Sequence, residues 1–247
     1  MIKMITSNLK VNIYETRAQM GKSAAEAVSG KIRELLTNKE EVNVVFAAAP
    51  SQNEFLASLV QQDLDWGSIN AFHMDEYIGL DENAPQAFGN FLEERLFSKR
   101  PFKSVNYLKD LSYAQLLEQF PVDIVCMGIG ENGHIAFNDP PVADFNDPET
   151  VKVVELDAAC RQQQVNDGCF ASIAEVPTHA LTLTVPALLA APNIFCIVPG
   201  PAKAQAVFNT LNMPVETAYP STILRNHENA VLFLDRDSSA LVVNGGR

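Results

Sequence analysis

Short β-branched or apolar runs bounded by turn residues recur along the chain at 42–47, 69–74, 122–127, 151–156, 194–198 and 230–234. Runs of about four to eight such residues predict strands. Between several of them the apolar positions shift to helical spacing, at 16–36, 53–62, 88–97 and 202–211. Strand and helix in alternation make right-handed βαβ units. The pattern therefore predicts an α/β fold of three layers, a mostly parallel open sheet with helices on both faces, Rossmann-like in its winding. Ligands of such sheets bind beyond the carboxyl ends of the strands, and candidate chemistry is sought there. No repeat, low-complexity tract or Gly/Ser linker interrupts the 247 residues, which predicts a single domain over 1–247.

One stretch, 180–202, carries no charge and has the length to cross a bilayer of about 30 Å. Pro186, Pro192, Pro199 and Pro201 interrupt the helix that a span requires. Pro192 and Asn193 mark a turn between a short helix and the strand 194–198. Hydrophobic content of 47% with 19% charged residues excludes a disordered chain. Eighteen Lys+Arg against 30 Asp+Glu give a net charge of −12 without a basic cluster, so neither nucleic acid nor an anionic membrane is an expected partner. Cys126, Cys160, Cys169 and Cys196 form no C-x-x-C pair and read as reduced thiols. The first residues lack the apolar stretch of about 7–15 residues that secretion needs, so a cytoplasmic location is expected.

Three segments carry candidate chemistry. Met20, Gly21, Lys22 and Ser23 resemble the end of a phosphate-binding loop, but Thr16 occupies the position of its first glycine and the segment lies in a predicted helix. Gly128, Gly130 and Gly133 match G-x-G-x-x-G directly after the strand 122–127. A dinucleotide site would need a helix to open at the third glycine, whereas Asp139, Pro140, Pro141 and a second Asn-Asp-Pro give loop chemistry. Glycines at a strand end still admit a close backbone approach to a small polar ligand. Glu131, Asn132, His134 and Asp139 follow within nine residues, and an imidazole there can shuttle protons near neutral pH. The third segment is His73, Met74, Asp75, Glu76 and Tyr77 at the end of strand 69–74; alternation sends Asp75 and Glu76 to opposite sides. Neighbouring strand ends would let Asp75 and His134 share one pocket.

Taken together, the segment 74–80, the segment 128–140, Ala180 to Thr184, Pro199 to Ala204 and Pro220 to Arg225 resemble, in order, the glucosamine-6-phosphate deaminase/isomerase family, whose fold is shared with 6-phosphogluconolactonases. The resemblance implies an aldose–ketose isomerisation coupled to loss of ammonia, without metal or nicotinamide. Asp75 matches the carboxylate that moves the proton from C2 to C1. His134 matches the imidazole that assists ring opening, and Lys203 the lysine that neutralises the phosphate.

Three departures accompany the resemblance. Asn132 stands where the typical deaminase has an Asp that orients the histidine, which replaces a charge-assisted hydrogen bond of roughly 1.5–3 kcal/mol by a neutral one of roughly 0.5–1.5 kcal/mol. Asp139 is one methylene shorter than the family's Glu. The Thr-Gly-Gly-type phosphate turn is replaced by Ala47, Ala48, Ala49, Pro50 and Ser51, where the following helix amides and the Ser51 hydroxyl remain suited to an anion. Arg161 is the nearest candidate for the family's downstream phosphate arginine. The expected binding set is thus Ala48, Ala49, Ser51, Gly130, Arg161 and Lys203, and the expected catalytic set Asp75, Asn132, His134 and Asp139. Glucosamine 6-phosphate is the first expected substrate and galactosamine 6-phosphate the second. A 6-phosphogluconolactonase and a non-catalytic sugar-phosphate sensor are the rivals. Related deaminases form oligomers, which makes a homo-oligomer an open expectation.

Overall fold

The computed structural model describes residues 1–243. Strands β1 (Ile2–Thr6) and β2 (Leu9–Ile13) form an N-terminal hairpin, followed by α1 (Arg17–Leu36), β3 (Val42–Phe46), α2 (Asn53–Val60), β4 (Ile69–His73) and β5 (Asp75–Tyr77). Then come α3 (Phe88–Arg95), β6 (Ser104–Asn106), α4 (Tyr113–Gln119), β7 (Ile124–Met127), β8 (Val151–Glu155), α5 (Ala158–Asn166) and β9 (His179–Leu183). The chain continues through α6 (Val185–Leu189), β10 (Asn193–Val198), α7 (Ala204–Asn212), β11 (Ala230–Leu234) and α8 (Ala240–Val243).

The main sheet has the order β1-β2-β11-β10-β7-β3-β4-β6, parallel throughout except for β1, which pairs antiparallel with β2. Its central strands are largely apolar and buried because both faces are covered. Successive residues serve opposite cores: Val44, Phe46, Cys126 and Ile197 join one apolar cluster, and Val45, Val125, Met127 and Val198 the other. The alternation follows from side chains pointing to opposite faces along a strand.

The expected α/β layering is present, with two corrections. The run 151–156 does not enter the parallel sheet: β8 pairs antiparallel with β9, which pairs antiparallel with β5, in a separate three-stranded sheet. Its residues differ from those of the central strands: Lys152, Val153 and Glu155 leave the interior while Val151 and Val154 stay buried. The hairpin β1–β2 and strands β5, β6 and β9 lie outside the predicted runs. Among the described residues no helix is long and apolar enough to cross a membrane. The uncharged stretch instead supplies α6, a turn, and β10.

Gly21 answers for the phosphate-loop resemblance. It sits inside α1, where an added Cβ would lie 2.7 Å from the backbone carbon of Glu54, so its glycine lets α1 and α2 approach closely. Lys22 on the same helix is solvent-exposed and faces Glu26 at 4.0 Å.

Candidate active site

Chain order reverses direction between β3 and β7: β4 and β6 lie on one side of β3, and β7, β10 and β11 on the other. A cleft at such a switch point needs no added device, because the loops leaving the two strands diverge. The observed cleft is lined from the carboxyl ends of β3, β4, β7 and β10. Ala48, Ala49 and Ser51 come from β3, Asp75 from β4, Gly130 and His134 from β7, and Lys203 from β10.

Asp75 is buried at the first position of β5, opposite Thr182 of β9. Its carboxylate accepts no hydrogen bond from the described residues, and burial, then the neighbouring Glu76 charge, holds its pKa well above the ordinary 3.8. Glu76 turns to the other side, as alternation requires. There it accepts hydrogen bonds from the amides of Phe88 (3.0 Å) and Gly89 (2.8 Å) at the start of α3. Two adjacent carboxylates therefore differ in role: one is bare in the cleft and the other caps a helix.

His134 follows the turn at Gly133, whose φ of +88° suits glycine. Its Nδ1 lies 2.8 Å from Oδ1 of Asp139, in ion-pair contact. The shortened Asp139 thus does reach the ring. Asn132 does not hold the imidazole; its Nδ2 donates to Oδ1 of Asp139 (2.8 Å), and its Oδ1 accepts from the backbone N–H of His134 (3.1 Å). Burial works against the charge on Asp139, but the His134 charge and hydrogen bonds from His134, Asn132 and Cys160 outweigh it and lower its pKa. Beyond His134 the loop is over-determined. Ala136 takes a left-handed φ of 47°, while Phe137 N–H donates to Thr182 Oγ1 (3.1 Å) and Asn138 Nδ2 to Leu183 O (2.8 Å).

At the other end, Lys203 closes the turn Pro201–Lys203 and is buried, which lowers its pKa, while Asp167, Glu131 and Cys160 act in the opposite sense. The turn is pinned where Gly200 N–H donates to both Asp235 oxygens at 3.1 Å. Gln52, 1% exposed, also lines the cleft. Its Nε2 donates to Ile197 O (3.1 Å) and to Ser51 Oγ (3.2 Å), which fixes the amide orientation and leaves Oε1 without a partner.

The sequence pattern of the glucosamine-6-phosphate isomerases/6-phosphogluconolactonase family matches residues 15–233. The chain belongs to that family. It is similar to a glucosamine-6-phosphate deaminase of Streptococcus pneumoniae serotype 4, 34% identical over 243 residues, covering 95% of this chain and all of the relative. Among solved structures, a monomeric glucosamine-6-phosphate deaminase aligns with a TM-score of 0.83 at 26% identity, over 94% of this chain and 99% of the other. A 6-phosphogluconolactonase from Thermotoga maritima aligns with a TM-score of 0.75 at 20% identity, over 92% and 99%, and shares the fold.

Within this family frame, the residues fall into three groups. Asp75, His134, Ala48, Ala49, Ser51, Gly130 and Lys203 face the cleft as expected, and Asn132 and Asp139 stand behind His134. Arg161 is a correction. It does not line the cleft; its guanidinium donates to the carbonyls of Ile173 (2.7 Å) and Val176 (2.8 Å), tying a loop to α5. Its helical position explains this, since Cys160, Gln163 and Gln164 occupy the inward face of α5 and Arg161 falls beside it. Gln52, Gln163 and Gln164 are the polar cleft residues that sequence reasoning missed. The only signal for the last two was their spacing from Cys160, with no apolar side chain to mark that face.

As the loop chemistry after Gly133 predicts, no helix opens there. Spatial reasons account for the fingerprint instead. A Cβ on Gly128 would lie 3.0 Å from Nε2 of Gln52, and one on Gly130 would enter the His134 ring at 2.2–2.4 Å.

Proposed function

We propose that this protein converts a hexosamine 6-phosphate and water to a ketose 6-phosphate and ammonia. One observation carries the reading: a bare buried carboxylate, an imidazole backed by a carboxylate, and a buried lysine line one cleft in a member of this family. The phosphate lies against Lys203 and the turn Pro50–Gln52, which draws the sugar carbons toward Asp75 and His134. His134 takes the proton of the anomeric hydroxyl and returns it to the ring oxygen, opening the ring. Asp75 then removes the C2 proton while O1 takes up a proton, giving an enolamine, and delivers the proton to C1 as the nitrogen gives one up, leaving an imine at C2. Water adds there, and the C–N bond breaks to release ammonia.

The raised pKa of Asp75 supports this role, because a carboxylate that must both take and give a proton works best when its pKa moves toward the working pH. Holding it beside C2 adds effective molarity that a free acid lacks. The Asp139 carboxylate stabilises the imidazolium that forms midway. Gln52 Oε1 offers an acceptor to a sugar hydroxyl, and glucosamine 6-phosphate is the first substrate to test, with galactosamine 6-phosphate next.

The deciding experiment gives the purified protein both hexosamine 6-phosphates and 6-phosphogluconolactone, and measures ammonia, ketose phosphate and acid release. Stoichiometric ammonia and ketose from a hexosamine phosphate is the expected result. Lactone hydrolysis without any ammonia would replace the reading with the lactonase one. Binding without turnover would make the protein a sensor.

A further inference from the structure

Behind the cleft, α5 brings a third potential ligand to the His134–Asp139 pair. Cys160 lies in the first turn of α5, its N–H held by the capping carboxylate of Asp157 at 2.6 Å. His134, Asp139 and Cys160 each offer one ligand atom, and these atoms all lie within 4.8 Å of one another, with all three residues buried. We propose that His134 Nδ1, the Asp139 carboxylate and Cys160 Sγ form a site for a soft divalent cation of the zinc class, and that its occupation reversibly stops the reaction at His134.

The donor set selects the ion. A thiolate, an imidazole and a carboxylate are the ligands zinc takes, whereas magnesium and calcium take oxygen. Zinc bonds of about 2.0–2.3 Å arranged tetrahedrally place ligand atoms about 3.3–3.6 Å apart. Nδ1 and Oδ1, at 2.8 Å, would open by about 0.5 Å, and a pair near the 4.8 Å bound would close by roughly 1 Å. The three groups already touch: His134 Nδ1 stands 2.8 Å from Asp139 Oδ1, and the Cys160 thiol also reaches the Asp139 carboxylate. Asn132 meanwhile holds Asp139 Oδ1, as an outer-shell group holds a metal-bound carboxylate. The imidazole also lines the cleft, whereas Asp139 and Cys160 lie behind it.

On binding, the S–H bond breaks and its proton leaves to solvent, the thiolate electron pair forms the metal–sulfur bond, and the Nδ1 proton of the neutral ring shifts to Nε2. No redox change occurs. The metal occupies Nδ1 and neutralises the carboxylate that supports the imidazolium, so His134 loses the proton relay. This consequence for turnover rests on the function proposed above; the binding does not.

The test titrates the full-length protein, freed of metal by a chelator, with Zn²⁺ and with Cd²⁺ alone. Equilibrium dialysis is expected to show one ion per chain, Cd²⁺ to raise an ultraviolet sulfur-to-metal charge-transfer band, and one proton to be released. Cys160→Ser is expected to lower affinity at least tenfold and remove the band, while Cys169→Ser keeps both. Mg²⁺ and Ca²⁺ are expected to leave the protein unaltered. X-ray absorption of the zinc-loaded wild type, which needs no variant, is expected to find one sulfur neighbour. Absence of binding, a zinc shell without sulfur, or a band that follows Cys169 overturns the site. Binding as expected in a protein that releases no ammonia would leave the site standing and refute the function instead.

Discussion

Gly130→Ala tests the geometry of the His134 relay directly. Gly130 has an ordinary negative φ, so alanine there meets no backbone penalty; what it meets is the ring. The new Cβ would stand 2.2 Å from Cε1, 2.3 Å from Nε2 and 2.4 Å from Nδ1 of His134, where ordinary contact begins at 3.4 Å. The imidazole must retreat by about 1.2 Å, the difference between 3.4 and 2.2 Å, or change rotamer. Either movement takes Nδ1 off Asp139 Oδ1. Misplacement of a reacting group by about 1 Å costs on the order of 10²-fold, and loss of general acid–base assistance about 10²–10⁴-fold. The expected fall in kcat/KM is therefore about 10²–10⁴-fold, equal to about 2.7–5.5 kcal/mol of transition-state stabilisation. Overpacking should lower stability by only about 1–3 kcal/mol, leaving a folded protein to assay. Ammonia release from a hexosamine phosphate and the urea midpoint are measured together. Gly30→Ala is the control: nothing lies within 4 Å of its added Cβ, and it should leave kinetics alone while stabilising α1 by about 0.5–1 kcal/mol. Wild-type kcat/KM in a folded Gly130→Ala protein would show that His134 does not need its observed position.

Asp75→Asn should abolish exchange of the C2 proton with solvent and yet raise the melting temperature near neutral pH. The native pKa of Asp75 is raised, so the wild type loses stability as pH climbs from about 3.8 toward that raised value, and the variant's advantage should shrink on acidification; a variant less stable at neutral pH would contradict the burial argument. Asn132→Asp removes the amide donor 2.8 Å from Asp139 and sets two carboxylates together. It should lower kcat, with recovery at lower pH as the pair takes up a shared proton, whereas a faster enzyme would show Asn132 to be a handicap. Lys203→Met should raise KM for the phosphorylated sugar by roughly 10–150-fold, matching about 1.5–3 kcal/mol for a hydrogen bond to a charged group, and an unchanged KM would move the phosphate elsewhere.

Much of this was legible in the residues. Largely apolar runs at 42–47, 69–74, 122–127, 194–198 and 230–234 fit a place between two layers, and each supplied an interior parallel strand. Alternation alone separated Asp75 from Glu76. The glycine-rich turn with His134 at a strand end was recognisable as a site before any coordinate, because loop chemistry after Gly133 ruled out the helix a dinucleotide needs.

Other features depended on contacts between residues far apart in the chain. Strand 151–156 has the propensity of a sheet strand, but which sheet it joins is decided by its partner β9, about thirty residues later. Arg161 has the charge a phosphate wants, yet the rotation of α5 turns it to the carbonyls of Ile173 and Val176. Asn132 has a partner no spacing rule names, since its amide reaches Asp139 only once the loop has folded back. Local order set the elements and the reactive groups, because backbone preference and side-chain alternation act over a few residues. Packing chose the neighbours of each group, because the direction of a side chain and its burial are properties of the assembled layers.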